Sequence, residues 1–229
     1  MKFHYATLEN CSQANGFVVV IDVIRAFTNA AFVFSRGAHK IIPVRTVEEA
    51  LQLKQEDSNR LVCGEVGGIP PAGFDFGNSP SQVLGLDLNG RVIVQRTGAG
   101  TQGIVRSLQA KQMVAASFVV AAATVKYIQR FAPEQVTFVV TGYDDFGKGG
   151  DEDQACAEYL ETLLKRKRPN PEPFLERVRK SRDASYHFDS ARPEFPAVDI
   201  DYCTSLDRFD FAMPVIQENG HFVIQPVYF

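Results

Sequence analysis

The chain has 229 residues, 45% of them hydrophobic, and its 24 basic and 27 acidic side chains give a formal net charge of -3. This length suffices for one large α/β domain or for two small lobes packed together. The slightly negative charge argues against nucleic acid or an anionic membrane as a partner. The first residues lack an apolar core of signal-peptide length, and the longest apolar runs are only strand-sized. We therefore expect a cytoplasmic protein without a membrane span.

Two stretches of the chain predict the same order of elements. The first predicts strands at 17–21, 40–44 and 61–63, with helices at 23–35 and after Thr46, which forms a capping box with Glu49. The second predicts strands at 91–95, 112–116 and 135–141, with helices at 98–108 and 118–130. We interpret this as a tandem βαβαβ duplication, with units at about 17–80 and 91–150 inside one domain spanning 1–229. The expected fold is a three-layer α/β/α sandwich around a mostly parallel sheet.

The remaining segment, 151–229, is predicted to form a C-terminal helix and a cover. The helix, at 151–167, has an acidic start and a basic end, as the helix dipole favours. Polar and apolar residues alternate at 207–211, and 221–229 is also strand-like, so we expect edge strands or an extended cover. Edge strands of this kind would favour a homodimer.

Four cysteines, Cys11, Cys63, Cys156 and Cys203, lie far apart and have no histidine at metal-ligand spacing. We expect buried, reduced thiols rather than disulfides or a zinc site. Cys203 lies among charged residues and is the one candidate nucleophile, although no phosphate-binding Cys-x5-Arg loop follows it.

Charged and polar residues follow the predicted strands, where ligands bind in parallel α/β sheets. They are Asp22 with Arg25, Glu65, Arg96 with Thr97, Ser117, and Tyr143 with Asp144 and Asp145. Carboxylates that share a site repel one another unless a cation lies between them. Mg²⁺ is commonly held by one or two carboxylates plus a substrate phosphate, and Arg binds phosphate oxygens bidentately. The pattern favours a magnesium and phosphate site; simple salt bridges at the sheet end are the alternative.

A glycine-rich turn, Gly-Ala-Gly-Thr-Gln-Gly at 98–103, follows a predicted strand and opens a helix. It matches the dinucleotide fingerprint, but the next strand ends at Ser117 without the acid that would hold a ribose. We favour a nest of backbone amides that cradles one phosphate or carboxylate. A plain helix start and a dinucleotide site are the alternatives.

The loop at 64–80 is long for a connector, and it combines glycines, stiffening prolines and the polar residues Asp75 and Asn78. Binding loops often have this composition. Its Gly-Glu-x-Gly-Gly at 64–68 and Gly-Phe-Asp-x-Gly-Asn-Ser-Pro at 73–80 resemble the hallmark of the 2-phosphosulfolactate phosphatase family. The segments at 19–26, 151–155 and 207–214 are also similar to that family, so the resemblance covers most of the chain.

The resemblance implies Mg²⁺-dependent hydrolysis of the phosphate ester of sulfolactate, a step toward coenzyme M. On this hypothesis the metal ligands are Asp22, Glu65 and Asp153. The catalytic residues are Asp22, Arg25, Glu65 and Arg96. The substrate-binding residues are Asn78, Ser79, Thr97, Gly98, Gly100, Thr101 and Ser117. Where many members have Thr-Thr-Asn-Gly-Thr, this chain has Arg96 and an altered turn, which would suit a different second anion.

Two further classes of function remain open on the sequence. A non-catalytic sensor of an anion or nucleotide would need only the amide nest, although such a sensor gains nothing from paired carboxylates unless a metal is present. An NAD-dependent oxidoreductase would use the turn at 98–103.

Overall fold

A computed structural model describes residues 1–142 and 150–229 of the chain. The strands are β1 Lys2–Ala6, β2 Gly16–Ile21, β3 Lys40–Pro43, β4 Arg60–Gly64, β5 Val92–Arg96, β6 Ala110–Ala116, β7 Gln135–Val140, β8 Phe211–Glu218, β9 His221–Ile224 and β10 Val227–Tyr228. The helices are α1 Ala26–Ser35, α2 Val47–Glu56, α3 Pro80–Val83, α4 Gly100–Arg106, α5 Ala121–Phe131, α6 Asp151–Leu164, α7 Glu172–Lys180, α8 Arg182–Ser185 and α9 Val198–Cys203.

The strands form one mixed, mostly parallel sheet in the order β1-β7-β2-β6-β8-β9-β3-β5-β4, with β10 paired to β8. One face packs on α1 and α4. The other face packs on α5, α6 and α7 at one half of the sheet and on α2 at the other half. The predicted three-layer α/β/α fold is confirmed. No helix in the described ranges is long and apolar enough to cross a membrane.

The local predictions hold where short-range physics determines the structure. Residues Val18–Ile21 of β2 are fully buried, as a continuous β-branched run in a central parallel strand requires. Thr46 caps α2 by accepting a hydrogen bond from the Glu49 amide at 3.1 Å. Helix α1 begins at Ala26 rather than at residue 23, because the turn after β2 places the Asp22 carboxylate on the Ala26 amide, 2.9 Å away. All four cysteines are buried and unpaired, as expected.

The prediction of edge strands or a cover in the tail is wrong for β8 and β9, whereas β10, among the described residues, pairs with β8 alone. Strands β8 and β9 lie inside the sheet, where they join β6 to β3 through antiparallel pairings. The argument for a homodimer from edge-like tail strands therefore no longer applies, and dimerisation stays a prediction. Because β8 and β9 are antiparallel to their neighbours, the direction of β3, β5 and β4 along the sheet is opposite to that of β2, β6 and β7.

The junction between β9 and β3 is a single residue pair, Ile41 with Ile224. The chain segments that follow β2, β4 and β5 meet at one cavity, although the strands belong to different halves of the sheet. A methyl group added at Gly100 after β5 would lie 2.7 Å from the Asp22 carboxylate after β2.

The two predicted repeat units are interleaved in the sheet. Strand β2 of the first unit lies between β7 and β6 of the second, and β5 of the second lies between β3 and β4 of the first. Exchanging the two units therefore reproduces the same strand order, a relationship that is compatible with duplication. The duplication and the single domain spanning 1–229 stay predictions.

Candidate active site

A cavity of about 330 Å³ lies where the segments after β2, β4 and β5 meet. Four residues singled out in the sequence line it: Asp22, Arg25, Glu65 and Asn78. The C-terminal segment closes the opposite side with Asp183, Tyr186, His187, Arg192 and Phe195. The cavity thus has carboxylates and cationic side chains around one space, as the strand-end pattern predicts.

Asp22 is almost fully buried at the start of the turn after β2. Burial raises the pKa of its carboxyl to about 7, and the negative charges of Glu65 and Asp183 act in the same direction. The backbone amides of Ala26 and Gly100 act in the opposite direction by favouring the ionised form. The Asp22 carboxyl therefore changes between its protonated and ionised forms near neutral pH.

Glu65 connects the long loop to the glycine turn. Its Oε1 accepts a hydrogen bond from the Gly98 amide at 2.5 Å, and its Oε2 accepts one from the Gly68 amide at 2.7 Å. Gly68 has a φ of +89°, and a Cβ there would lie 2.1 Å from the ring of Phe195. Gly68, the last glycine of Gly-Glu-x-Gly-Gly, therefore permits a close approach of the loop to the C-terminal segment.

The amides of the glycine turn are already engaged within the chain. Thr97 and Thr101 exchange amide-to-hydroxyl hydrogen bonds of 2.9 and 3.1 Å, the Gly98 amide binds Glu65, and the Gly100 amide stabilises Asp22. The predicted role of these four residues as a phosphate cradle has no support here, because their N–H groups are held by side chains of the protein. The same engagement argues against a dinucleotide at this turn.

Arg96 is not among the residues that line the cavity. Side chains alternate along β5: Ile93 packs with α1, whereas Val92 and Val94 pack with α2. Arg96 falls on the α2 side, where it acts on Glu48, and its Nη1 donates to the Glu65 carbonyl at 2.7 Å. Arg96 therefore supports the backbone at Glu65, and its side chain is not part of the cavity lining.

Asp153 lies behind the cavity and not in it. Its Oδ1 accepts from the Val23 amide at 2.7 Å, and its Oδ2 accepts from the Gly142 amide at 2.9 Å, so it joins the ends of β2 and β7. Burial raises the pKa of this carboxyl well above its ordinary value, with Glu152 and Asp22 adding to the effect. Asp153 is thus a support for the turn that carries Asp22.

The predicted set of three metal ligands does not come together. Within residues 1–142 and 150–229, no group of three or more Asp, Glu, His or Cys side chains is arranged to hold a metal ion. Asp22 and Glu65 do line the cavity, and their mutual repulsion raises the pKa of Asp22. This pair of oxygen donors fits Mg²⁺, which commonly takes one or two carboxylates and completes its shell with phosphate and water.

Of the polar residues predicted to bind substrate, Asn78 faces the cavity. It is 6% exposed, and its Oδ1 has no hydrogen-bond partner in the described ranges. Ser79 instead contacts Ser81, with the hydroxyl oxygens 3.0 Å apart, and Ser117 is buried outside the cavity lining. The predicted strand-end residues Tyr143, Asp144 and Asp145 lie outside the described residues.

The guanidinium of Arg25 is held rigidly at the cavity wall. Its Nη1 donates to Asp199 Oδ2 at 3.0 Å and to the Glu194 carbonyl at 3.1 Å. Its central carbon lies 4.8 Å from the centre of the Phe195 ring, a cation–π contact. Sequence reasoning identified Arg25 but none of these partners, which come from the segment at 194–199.

Sequence reasoning also missed His187, which lies in the segment predicted to form a cover. The imidazole is 3% exposed, lines the cavity and packs edge-on against Phe195, with ring centres 5.4 Å apart. The available signal was a histidine between Asp183 and Arg192 in a stretch rich in aromatic residues. By contrast, the alternative of Cys203 as nucleophile loses support, because burial raises the pKa of its thiol and the residue is not part of the cavity lining.

Comparisons with known proteins agree with the resemblance seen in the sequence. Residues 3–219 match the family model described as 2-phosphosulpholactate phosphatase. A probable 2-phosphosulfolactate phosphatase of Bacillus subtilis is 34% identical over 202 residues, which cover 87% of each chain. A relative of the same name from Thermotoga maritima is 32% identical over 216 residues, covering 90% of this chain and 91% of the relative. Another, from Carboxydothermus hydrogenoformans, is 31% identical over 226 residues, covering 91% and 90%.

Proposed function

The chain belongs to the 2-phosphosulpholactate phosphatase family, and on that premise we propose that it is a phosphoric monoester hydrolase that converts 2-phosphosulfolactate to sulfolactate and phosphate with Mg²⁺. The observation that carries the proposal is the cavity in which the carboxylates of Asp22 and Glu65 face the buried guanidinium of Arg25. We place the activity in the cytoplasm, as a step of coenzyme M biosynthesis.

Asp22 and Glu65 are the residues that would hold Mg²⁺. Bound there, the ion would neutralise negative charge on the transferring phosphoryl group. The glycine turn serves this pair by orienting both carboxylates through the amides of Gly98 and Gly100. The turn thus positions ligands, whereas the sequence predicted that it would bind phosphate directly.

Arg25 binds an oxyanion of the substrate. Its guanidinium lines the cavity, while the buried Asp199 takes one of its five N–H groups and fixes its orientation. Asn78 lines the cavity, where its Nδ2 can donate to the ester or the acid group, whereas its unpaired Oδ1 can only accept. Phe195 lies against Gly68 and Arg25 and narrows access of water to this side of the cavity.

The charges of the cavity match a substrate with more than one acid group. The carboxylates of Asp22 and Glu65, which follow strands of the sheet, require a cation, and Arg25 and Arg192 line the same cavity together with Asp183 of the C-terminal segment. A phosphate on the metal side and a carboxylate or sulfonate on the arginine side would satisfy both. A non-catalytic anion sensor has no use for the carboxylate pair, and an NAD-dependent oxidoreductase would need amides of the glycine turn that are already engaged.

The proposal is tested by phosphate release from synthetic 2-phosphosulfolactate, measured with Mg²⁺ and with EDTA. We expect release only with Mg²⁺, and a loss of at least about a hundredfold in kcat for Asp22→Asn. Asp201→Asn, an exposed residue on α9, is the matched control and should keep full activity. No release under any condition, or an Asp22→Asn variant as active as the control, would refute the proposal.

A further inference from the structure

His187 lines the cavity. In the described ranges, one of its ring nitrogens is hydrogen-bonded to the protein and the other has no hydrogen-bond partner. Its Nδ1 lies 2.9 Å from the Pro196 carbonyl oxygen. A carbonyl oxygen can only accept, so Nδ1 carries the hydrogen and Nε2 carries the lone pair. Nε2 is buried and has no partner anywhere in the described part of the chain. A buried acceptor without a donor is costly in a folded protein, and the cavity is where a donor can arrive.

We propose that His187 is the general base of the cavity: Nε2 accepts a hydrogen bond from the attacking water and takes its proton. This inference rests on the proposed phosphatase function. The water oxygen forms a bond to phosphorus, and the ester P–O bond breaks with its electron pair going to the ester oxygen. The ester oxygen, on the opposite side of phosphorus, takes a proton from solvent and becomes the hydroxyl of the product, while the imidazolium of His187 gives its proton to solvent. Water and phosphoester are consumed, and the histidine is regenerated.

The surroundings of His187 keep the imidazole neutral and therefore able to accept a proton. Burial lowers its pKa below the ordinary value, and the charge of Arg25 acts in the same direction. The Pro196 carbonyl and the Asp199 carboxylate act in the opposite direction. Arg192 and Asp183 from the C-terminal segment, with Asp22 and Glu65 from the sheet end, are the other charged side chains that line the same cavity.

The imidazole is also fixed in orientation, which a general base requires. The hydrogen bond to Pro196 and the edge-on contact with Phe195 both hold the ring. Phe195 in turn contacts the Arg25 guanidinium, so the base and the oxyanion-binding cation are positioned by one aromatic side chain. A histidine with only a structural role would need the Pro196 hydrogen bond alone, and its Nε2 would stay without a hydrogen-bond partner.

Two substitutions separate the structural hydrogen bond from the base. In His187→Asn the side-chain amide can still donate to the Pro196 carbonyl, but no group replaces Nε2. In His187→Gln an amide oxygen can occupy the place of Nε2 and accept a hydrogen bond, but it cannot take a proton. His4→Asn, an exposed histidine at the sheet edge, is the matched control. Melting temperatures establish that each variant is folded, and if the His187→Asn substitution prevents folding, His187→Gln is judged by the same criteria.

We expect both variants to lose about 10²- to 10⁴-fold in kcat with KM changed by only a few fold. In the wild type, kcat/KM at saturating Mg²⁺ should fall toward low pH. The slope of log kcat/KM against pH in this acidic range counts the protons that inactivate the enzyme, and in both variants it should be lower by one. Full kcat in either folded variant, an unchanged acidic slope, or a basic limb that disappears instead would overturn the inference. A wild type that releases phosphate beside fully active variants refutes this inference alone, whereas an inactive wild type refutes the proposed function.

Discussion

The Nη1 atom of Arg25 lies 3.0 Å from Oδ2 of Asp199, and the two side chains are 3% and 0% exposed. The second oxygen of Asp199 accepts a hydrogen bond from the Ser81 amide, also at 3.0 Å. One carboxylate therefore ties the turn after β2 to the end of the long loop. Because it lies on α9, the C-terminal segment determines where the cavity's buried cation points.

We expect Asp199→Ala to destabilise the protein by about 3–5 kcal/mol, since it leaves the buried charge of Arg25 without its anionic partner. Phosphatase activity should fall with it, because the guanidinium loses its orientation. Urea unfolding measures the loss in the free energy of unfolding. Asp201→Ala, an exposed residue on the same helix, should change the free energy of unfolding by less than about 0.5 kcal/mol. Equal stability of the two variants would contradict this account of Arg25.

Gly100 is needed because the Asp22 carboxylate lies directly against it. A Cβ at this position would lie 2.7 Å from Asp22 Oδ2 and 2.8 Å from the Ala26 Cβ. We expect Gly100→Ala to displace Asp22 and to lower kcat at least about tenfold, since small misplacements of catalytic groups are costly. Gly85→Ala is the matched control, because no atom lies within 4 Å of its added Cβ. An active Gly100→Ala enzyme with unchanged Mg²⁺ dependence would show that Asp22 can move without consequence.

Sequence patterns predicted the parts of the structure that depend on near neighbours in the chain. The β-branched run of β2 and the Thr46 cap are of this kind. The strand-end rule also selected Asp22, Arg25 and Glu65, which line one cavity. The rule does not by itself bring them together, because β4 runs opposite to β2 in the sheet. Period-two alternation along β5 places Arg96 on the same face as Val92 and Val94, and the structure shows that this face packs on α2.

The remaining features depend on contacts between distant segments. Nothing local in β8 distinguishes an edge strand from one inserted between β6 and β9, since its pairing partners are about a hundred residues away on one side. The glycine turn has the composition of an anion nest. Whether its amides are free depends on where the carboxylates of Glu65 and Asp22 lie in the folded chain. His187 lies in a non-repetitive segment, so no periodicity marked it.

Stability without metal should depend on pH through the buried carboxyls. Burial raises the pKa of Glu152 to about 8, with the charge of Asp183 adding to it. Between about pH 4.5 and pH 8 the Glu152 carboxyl is therefore protonated in the folded state but ionised in the unfolded state. The free energy of unfolding consequently falls as the pH rises through this range. In EDTA, Glu152→Gln should be more stable than the wild type at pH 8, by on the order of 2 kcal/mol, and the gain should shrink at about pH 5. A Glu152→Gln variant whose stability relative to the wild type is the same at pH 5 and pH 8 would contradict this account of the buried carboxyl.

Mg²⁺ should stabilise the protein more at pH 8 than at pH 6. The carboxyl of Asp22, whose pKa is raised to about 7 by burial and by Glu65, is mostly protonated at pH 6 and mostly ionised at pH 8. A cation that binds only the folded, ionised form raises the melting temperature in step with its affinity. Thermal unfolding with and without Mg²⁺ at the two pH values measures the effect, and Asp22→Asn should abolish the difference. Equal shifts at both pH values would place the metal elsewhere.

Arg192 should select substrates by their second acid group. Arg192 lines the cavity on the side formed by the C-terminal segment, and its guanidinium lies 4.6 Å from the centre of the Tyr186 ring. Its contact with Asp189 is a surface pair at 3.7 Å, which contributes little to stability. We expect Arg192→Ala to raise KM for 2-phosphosulfolactate about tenfold and to change KM for 2-phospholactate, which lacks the sulfonate, by less than about twofold. Arg168→Ala removes the same charge from an exposed position outside the cavity and should leave both constants unchanged. Equal increases for the two substrates would instead assign Arg192 to the phosphate or carboxylate that they share.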